Sequence, residues 1–213
     1  MLRALPDTND HEKKTDRMRL ELIRHGQTDW NLHDQLQGSS NTPLNDTGRA
    51  QAHTAAALLA PYDWAAIVSS PLSRARETAE IIAGELGIEL GAAYPELIER
   101  DYASREGTVA TSKIPDEPDE DFPDIEPRES VARRGIGALE DIRDTRLPLD
   151  GDDSNIVVVC HGTIIRFTLS AILGFEVGHI DNAAANTVEW ANGEWRVLTV
   201  NGAPVDEIVR SDA

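Results

Sequence analysis

Apolar and polar side chains alternate through residues 19 to 24, RLELIR, which predicts a strand; the turn-forming GSSNTPLNDTG that follows ends in helix-capping residues. A helix is expected from about Gly48 to Ala60. Residues 65 to 70, AAIVSS, form a short apolar run suited to a buried strand, with Pro71 expected in the first turn of the next helix. On that helix Leu72, Ala75, Ala79, Ile82 and Leu86 recur every three or four positions, so one face belongs to the core. A helix from about Arg128 to Arg146 buries Val131, Ala138, Leu139 and Ile142. IVVVC at 156 to 160 is a continuous β-branched run, as found where both faces of a sheet are covered, and Gly162 and Thr163 open a helix through Leu173. NTVEW and EWRVLTV flank Ala191, Asn192 and Gly193, a hairpin signal. The order predicts an α/β fold, a three-layer α/β/α sandwich with a mostly parallel sheet and an antiparallel edge strand.

Two stretches break the pattern. Residues 1 to 18 carry no apolar run and read as a polar N-terminal extension, expected to be disordered, with Met18 offering an alternative start. Residues 19 to 213 then form a single domain. From about 108 to 130 the character changes: between 108 and 127 four prolines interleave with seven acids and one base, Lys113, which excludes a core element and predicts a mobile acidic flap.

The chain has 38 acidic against 20 basic residues and a formal net charge of -18, which argues against nucleic-acid binding because phosphate backbones need a basic face. Nothing resembles a membrane span. The single cysteine, Cys160, forms no internal disulfide, in keeping with a cytoplasmic setting. Against this acidity, three predicted strands end in polar groups: Arg24 with His25, Ser69 with Ser70, and His161 with Gly162. Ligands of open parallel sheets bind outside the carboxyl ends of the strands, so the three ends converge, and Arg74 on the following helix turns back toward them. Two arginines, two histidines and helix N-terminal amides make an anion pocket suited to a tetrahedral phosphate.

The blocks RHGQTDWN, QG at 37 to 38, PLNDTGRAQA, SSPLSRARETA, LIERDYASREG and VVVCHGTIIR resemble, in order, the motif set of the histidine phosphatase superfamily, which includes cofactor-dependent phosphoglycerate mutases. The resemblance implies that His25 takes the phosphoryl group, that Arg24, Arg74 and His161 hold its oxygens, and that Glu99 donates the proton. Thr28, Asn31, Gln37, Gly38, Arg100, Tyr102, Gly162 and Thr163 are the implied substrate contacts. No metal and no cofactor are implied. The chain departs from the family at Ala103, where glycine is usual, and at Arg105, where an aromatic is common.

Chemistry agrees with these roles. Imidazole attacks only through an unprotonated nitrogen, so a backbone carbonyl should accept from the other one, in a tight backbone that Gly26 permits. Arginines can stabilise the transferred group without a metal, and a cation between Arg24 and Arg74 would be repelled. Alternation turns Cys160 away from His161 into the core. His11, His33, His53 and His179 read as solvated or structural. The expected function is hydrolysis of a small phosphate ester; a mutase, favoured by ERDY at 99 to 102, and a silent phosphoester-binding module are the alternatives. The acidic flap is expected to disfavour substrates with a second negative charge. The terminal hairpin leaves an edge on which an oligomer could form.

Overall fold

The computed structural model describes residues 17–110, 114–151 and 153–207. Strand β1 (Met18–Arg24) leads into a short helix α1 (Asp29–Leu32) and then α2 (Asp46–Leu59). They are followed by β2 (Ala66–Ser69), α3 (Ser73–Leu86), β3 (Leu90–Ala93), α4 (Arg128–Asp150), β4 (Ser154–Cys160) and α5 (Gly162–Leu173). The chain closes with β5 (Ala185–Ala191), β6 (Glu194–Val197) and a two-residue pair, β7 (Thr199–Val200) with β8 (Ala203–Pro204).

The main sheet runs β3-β2-β4-β1-β5-β6. The first four strands are parallel; β5 and β6 add antiparallel on the β1 side. The expected sandwich is therefore present, with two antiparallel strands rather than one at that edge. Strand alternation splits the core. Leu20, Leu22, Ile156 and Val158 face α4 and α5, whereas Ile23, Val157 and Val159 face α2 and α3. The hairpin turns at Asn192 and Gly193, both with positive φ (55° and 84°), as a twist-compatible two-residue turn requires.

Several boundaries move for local reasons. Helix α2 starts two residues before the expected Gly48 because the Asn45 side chain accepts from Gly48 N at 2.9 Å and caps it. Pro71 lies outside α3, which begins at Ser73. The second hairpin strand stops at Val197: Leu198 N still donates to Thr187 O at 2.8 Å, but Thr187 N turns to the Thr199 hydroxyl at 3.0 Å. Met18 belongs to the domain rather than to the extension, fully buried at the start of β1; of the rest of that extension, Arg17 donates to Glu189 at 2.7 Å and residues 1–16 lie outside the described residues.

The acidic segment does contribute to a core. Phe122 and Ile125 bury against Leu36 and Tyr102 in a small cluster of their own. Ile114 packs on its margin.

Candidate active site

The end of β1 is pinned from several sides. His25 N donates to Cys160 O at 2.9 Å, Ala183 N donates to Arg24 O at 2.9 Å, and Asn182 Nδ2 donates to His25 O at 2.9 Å. Gly26 N donates to Thr78 Oγ1 at 3.1 Å. Gly26 is required by proximity: a Cβ there would lie 2.2 Å from Gly48 O, at the start of α2.

On this platform His25 is 3% exposed and its Nδ1 donates to Gly26 O at 2.7 Å, the tautomer-fixing contact expected from the chemistry. That leaves Nε2 with its lone pair, toward which Arg74 Nε donates at 3.2 Å. Burial, followed by the positive charges of Arg74 and Arg24, holds the His25 imidazole well below its ordinary pKa, so it is neutral at neutral pH. His161 is held down by burial and by Arg74, His25 and Arg24. The two rings meet edge to face, centroids 5.2 Å apart, and His161 Nε2 pairs with Ser70 Oγ at 2.8 Å. The ends of β1, β2 and β4 thus converge as expected.

Arg74 is completely buried and aimed inward from the first turn of α3, its Nη1 and Nη2 donating to Ser40 O at 2.8 Å and Gly38 O at 2.9 Å. Burial pushes its guanidinium down to about 10, against the pull of Glu99 and Glu106. Glu106 supports this loop by accepting from the amides of Ser39 (2.7 Å) and Ser40 (2.8 Å). Arg24 Nη1 donates to Ile180 O at 2.6 Å and toward His179 Nε2 at 3.1 Å. Arg24 Nε, Gln37 Nε2 and His161 Nδ1 are buried without a partner among the described residues; the first two are donors, Nδ1 is a third when Ser70 Oγ donates to Nε2, and these are the groups that ligand oxygens would satisfy.

Glu99 is buried against the start of α5. Its Oε1 accepts from Arg100 N at 2.8 Å and Ile164 N at 3.0 Å, and its Oε2 from Thr163 N at 2.9 Å. Arg24, His25, Asn31, Gln37, Glu99 and Thr163 are among the side chains lining a cavity of about 320 Å³. Among the described residues, no three His, Cys, Asp or Glu side chains are grouped to hold a metal ion.

A family model described as the histidine phosphatase superfamily (branch 1) matches residues 20–203. The chain belongs to this superfamily. It is 33% identical over 184 residues to the Bacillus subtilis (strain 168) protein named uncharacterized phosphatase PhoE, covering 84% of this chain and 92% of that one. It is also 30% identical over 193 residues to the probable phosphoglycerate mutase GpmB of Photorhabdus laumondii, covering 84% and 87%. A mycobacterial glucosyl-3-phosphoglycerate phosphatase, solved with VO3, superposes with a TM-score of 0.75 at 26% identity, over 87% of this chain and 99% of that one.

Of the implied contacts of this superfamily member, Asn31, Gln37, Arg100, Tyr102, Gly162 and Thr163 line the cavity, whereas Thr28 and Gly38 do not. Thr28 is the N-cap of α1, its Oγ1 donating to Gln37 Oε1 at 2.8 Å, so it braces Gln37 from beneath. Gly38 acts through its carbonyl on Arg74. Gly162 backs onto the Arg24 side chain, which a Cβ would approach to 3.1 Å. Tyr102 pairs its hydroxyl with Thr163 Oγ1 at 2.9 Å. Arg100 borders the cavity, yet each of its guanidinium nitrogens donates to a carbonyl of the acidic segment: Glu126 O at 2.7 Å, Pro115 O at 2.9 Å and Asp116 O at 2.7 Å. Three of its five donors thus fasten that segment while the side chain borders the cavity. Ala103 has φ 47°, the left-handed region where the family's glycine is at ease.

The cavity rim also differs from expectation. His179, read as solvated or structural, stands at the mouth beside Arg24, together with Arg166 of α5. No carboxylate of the acidic segment lines the cavity among the described residues; that segment supplies Ile114. Asp116 is tied to Arg128 at 3.0 Å and Glu126 to Arg134 at 2.8 Å. A repulsive field at the substrate therefore does not follow from composition. His33 and His53 do sit at the surface, bonded to Asp29 O and Glu85, and Cys160 is buried in the α4–α5 core with its thiol pushed up to about 12. No helix among the described residues is long and apolar enough to cross a membrane.

Proposed function

We propose that this protein hydrolyses the phosphomonoester of a small metabolite through a phosphohistidine on His25. The single observation that carries the reading is the His25 ring at the cavity: buried, neutral, with Nδ1 committed to Gly26 O and the Nε2 lone pair met, among the described residues, by Arg74 Nε alone. Nε2 attacks phosphorus, a P–N bond forms, and the ester P–O bond breaks. The leaving oxygen takes a proton from Glu99, whose Oε2 has a single partner among the described residues. Water then attacks the phosphohistidine, the P–N bond breaks, its proton passes to Glu99, and phosphate departs. Arg24, Arg74 and His161 hold the phosphoryl oxygens throughout, with Asn31 and Gln37 as further contacts.

Hydrolysis is favoured over return of the group to a second hydroxyl by the phosphatase-named relative and the phosphatase structure, and by the apolar Ile114 that the described part of the acidic segment gives the cavity. Mutase action is the second reading, supported by Arg166 at the rim and by the mutase-named relative. The test is p-nitrophenyl phosphate turnover by the wild type and His25→Ala. The variant is expected to lose about 10³-fold or more in kcat/KM. Equal rates would favour a silent phosphoester-binding module, and interconversion of 2- and 3-phosphoglycerate outpacing phosphate release would favour the mutase.

A further inference from the structure

Arg134 lies on α4, does not line the cavity, and matches none of the sequence blocks that carry the chemistry. All five of its N–H donors are nevertheless engaged. Nη1 donates to Glu96 O at 2.9 Å and to Ile98 O at 2.5 Å, and Nη2 donates to Glu99 O at 3.0 Å. The remaining two form a fork on Glu126, Nε to Oε1 and Nη2 to Oε2, both at 2.8 Å. An arginine that only solvated α4 would not saturate its guanidinium on the backbone leading to Glu99 and on the Glu126 carboxylate.

Glu126 completes the arrangement. It accepts from Asp101 N at 3.2 Å and Ser130 Oγ at 3.1 Å, and its own N–H donates to Asp101 O at 2.9 Å. The backbone is thus gripped on both sides of Glu99 and Arg100. Both side chains of the pair are less than one-fifth exposed. Burial alone would raise the Glu126 carboxyl, but Arg134 and the neighbouring donors outweigh it and keep it below its usual range, so the pair stays ionised.

We infer that Arg134 is a positioning residue for Glu99, and that its bidentate pair with Glu126 couples that position to the seating of the acidic segment. The inference rests on Glu99 being the proton donor. A donor must reach the leaving oxygen within hydrogen-bond distance, and a shift of about 1 Å is enough to cost about 10²-fold. Lysine cannot replace the planar fork, because its ammonium directs three donors from one point.

The test is the leaving-group dependence of kcat/KM, which reports the step in which the ester bond breaks. A p-nitrophenyl ester departs as an anion without help; an alkyl phosphate needs the proton. Arg134→Met is expected to lose about 10²-fold on the alkyl ester and only a few-fold on the p-nitrophenyl ester, with Arg134→Lys in between. Glu126→Gln should fall the same way by less, and carries the comparison together with Arg134→Lys if Arg134→Met does not fold. Equal losses on both esters, or no loss on either, would overturn the positioning role. Glu99→Gln separates the two layers: selective loss there with uniform loss in Arg134→Met sinks only this inference, whereas uniform loss in Glu99→Gln removes the donor reading and this inference with it.

Discussion

Glu21 and Arg24 lie three residues apart on β1 and are equally buried, each 8% exposed. Glu21 faces a cleft of about 480 Å³ walled by Leu58, Tyr62 and Trp64, larger than the 320 Å³ cavity beyond Arg24. Its carboxyl is pushed up to about 7 by burial. Yet its two oxygens share one hydroxyl, Thr187 Oγ1, at 3.1 and 3.3 Å. Around Arg24 and His25, groups from β1, β2, α3, β4 and α5 converge, and each is oriented by another. Cavity size and a displaced titration are common to both places. What distinguishes the strand end is that its buried polar atoms are held in geometry by partners while some donors stay unspent.

The comparison breaks first at Arg74. Arg74→Gln removes a donor aimed at His25 and two ties to the 38–40 loop, and should lower kcat/KM by about 10²- to 10³-fold with little change in the melting temperature of the folded protein beyond a few degrees. A loss confined to stability would make the strand end no different from the Glu21 cleft.

Glu21→Gln should behave in the opposite way. Because the folded carboxyl titrates near 7 and the unfolded one near 4.5, the native state binds the extra proton between those values. Stability is full below pH 4.5 and falls as pH rises through 7, by roughly 3 kcal/mol in the wild type. Glu21→Gln should flatten that slope in denaturant titrations at several pH values, leaving phosphate-ester turnover within a few-fold of wild type. A large loss of turnover would place Glu21 within the site after all.

How much of this was legible depends on whether the signal was local. IVVVC, the α3 face through Ala75, Ala79 and Ile82, and the polar residues ending each strand were readable, because burial and strand alternation leave a mark in sequence order. Strand β3 was missed: LGAA is half-exposed at the sheet edge and carries no alternation. The acidic segment was read from its charges, while Phe122 and Ile125, which anchor it, count for little among prolines and carboxylates. His179, Asn182 and Arg166 join the site through long-range contacts that spacing does not encode. Arg100 shows the converse: its place in the motif is legible in sequence order, whereas the three bonds its guanidinium gives to carbonyls of the acidic segment are not.

The central claim is that His25 itself carries the phosphoryl group. Rapid mixing with excess phosphate ester, an alkaline quench that preserves phosphohistidine, and mass analysis of the digested protein test it most directly. One phosphoryl group on the peptide holding His25, absent in His25→Ala, is the predicted result. Turnover of the ester with that peptide unmodified, or with the phosphoryl group on another residue, would contradict it.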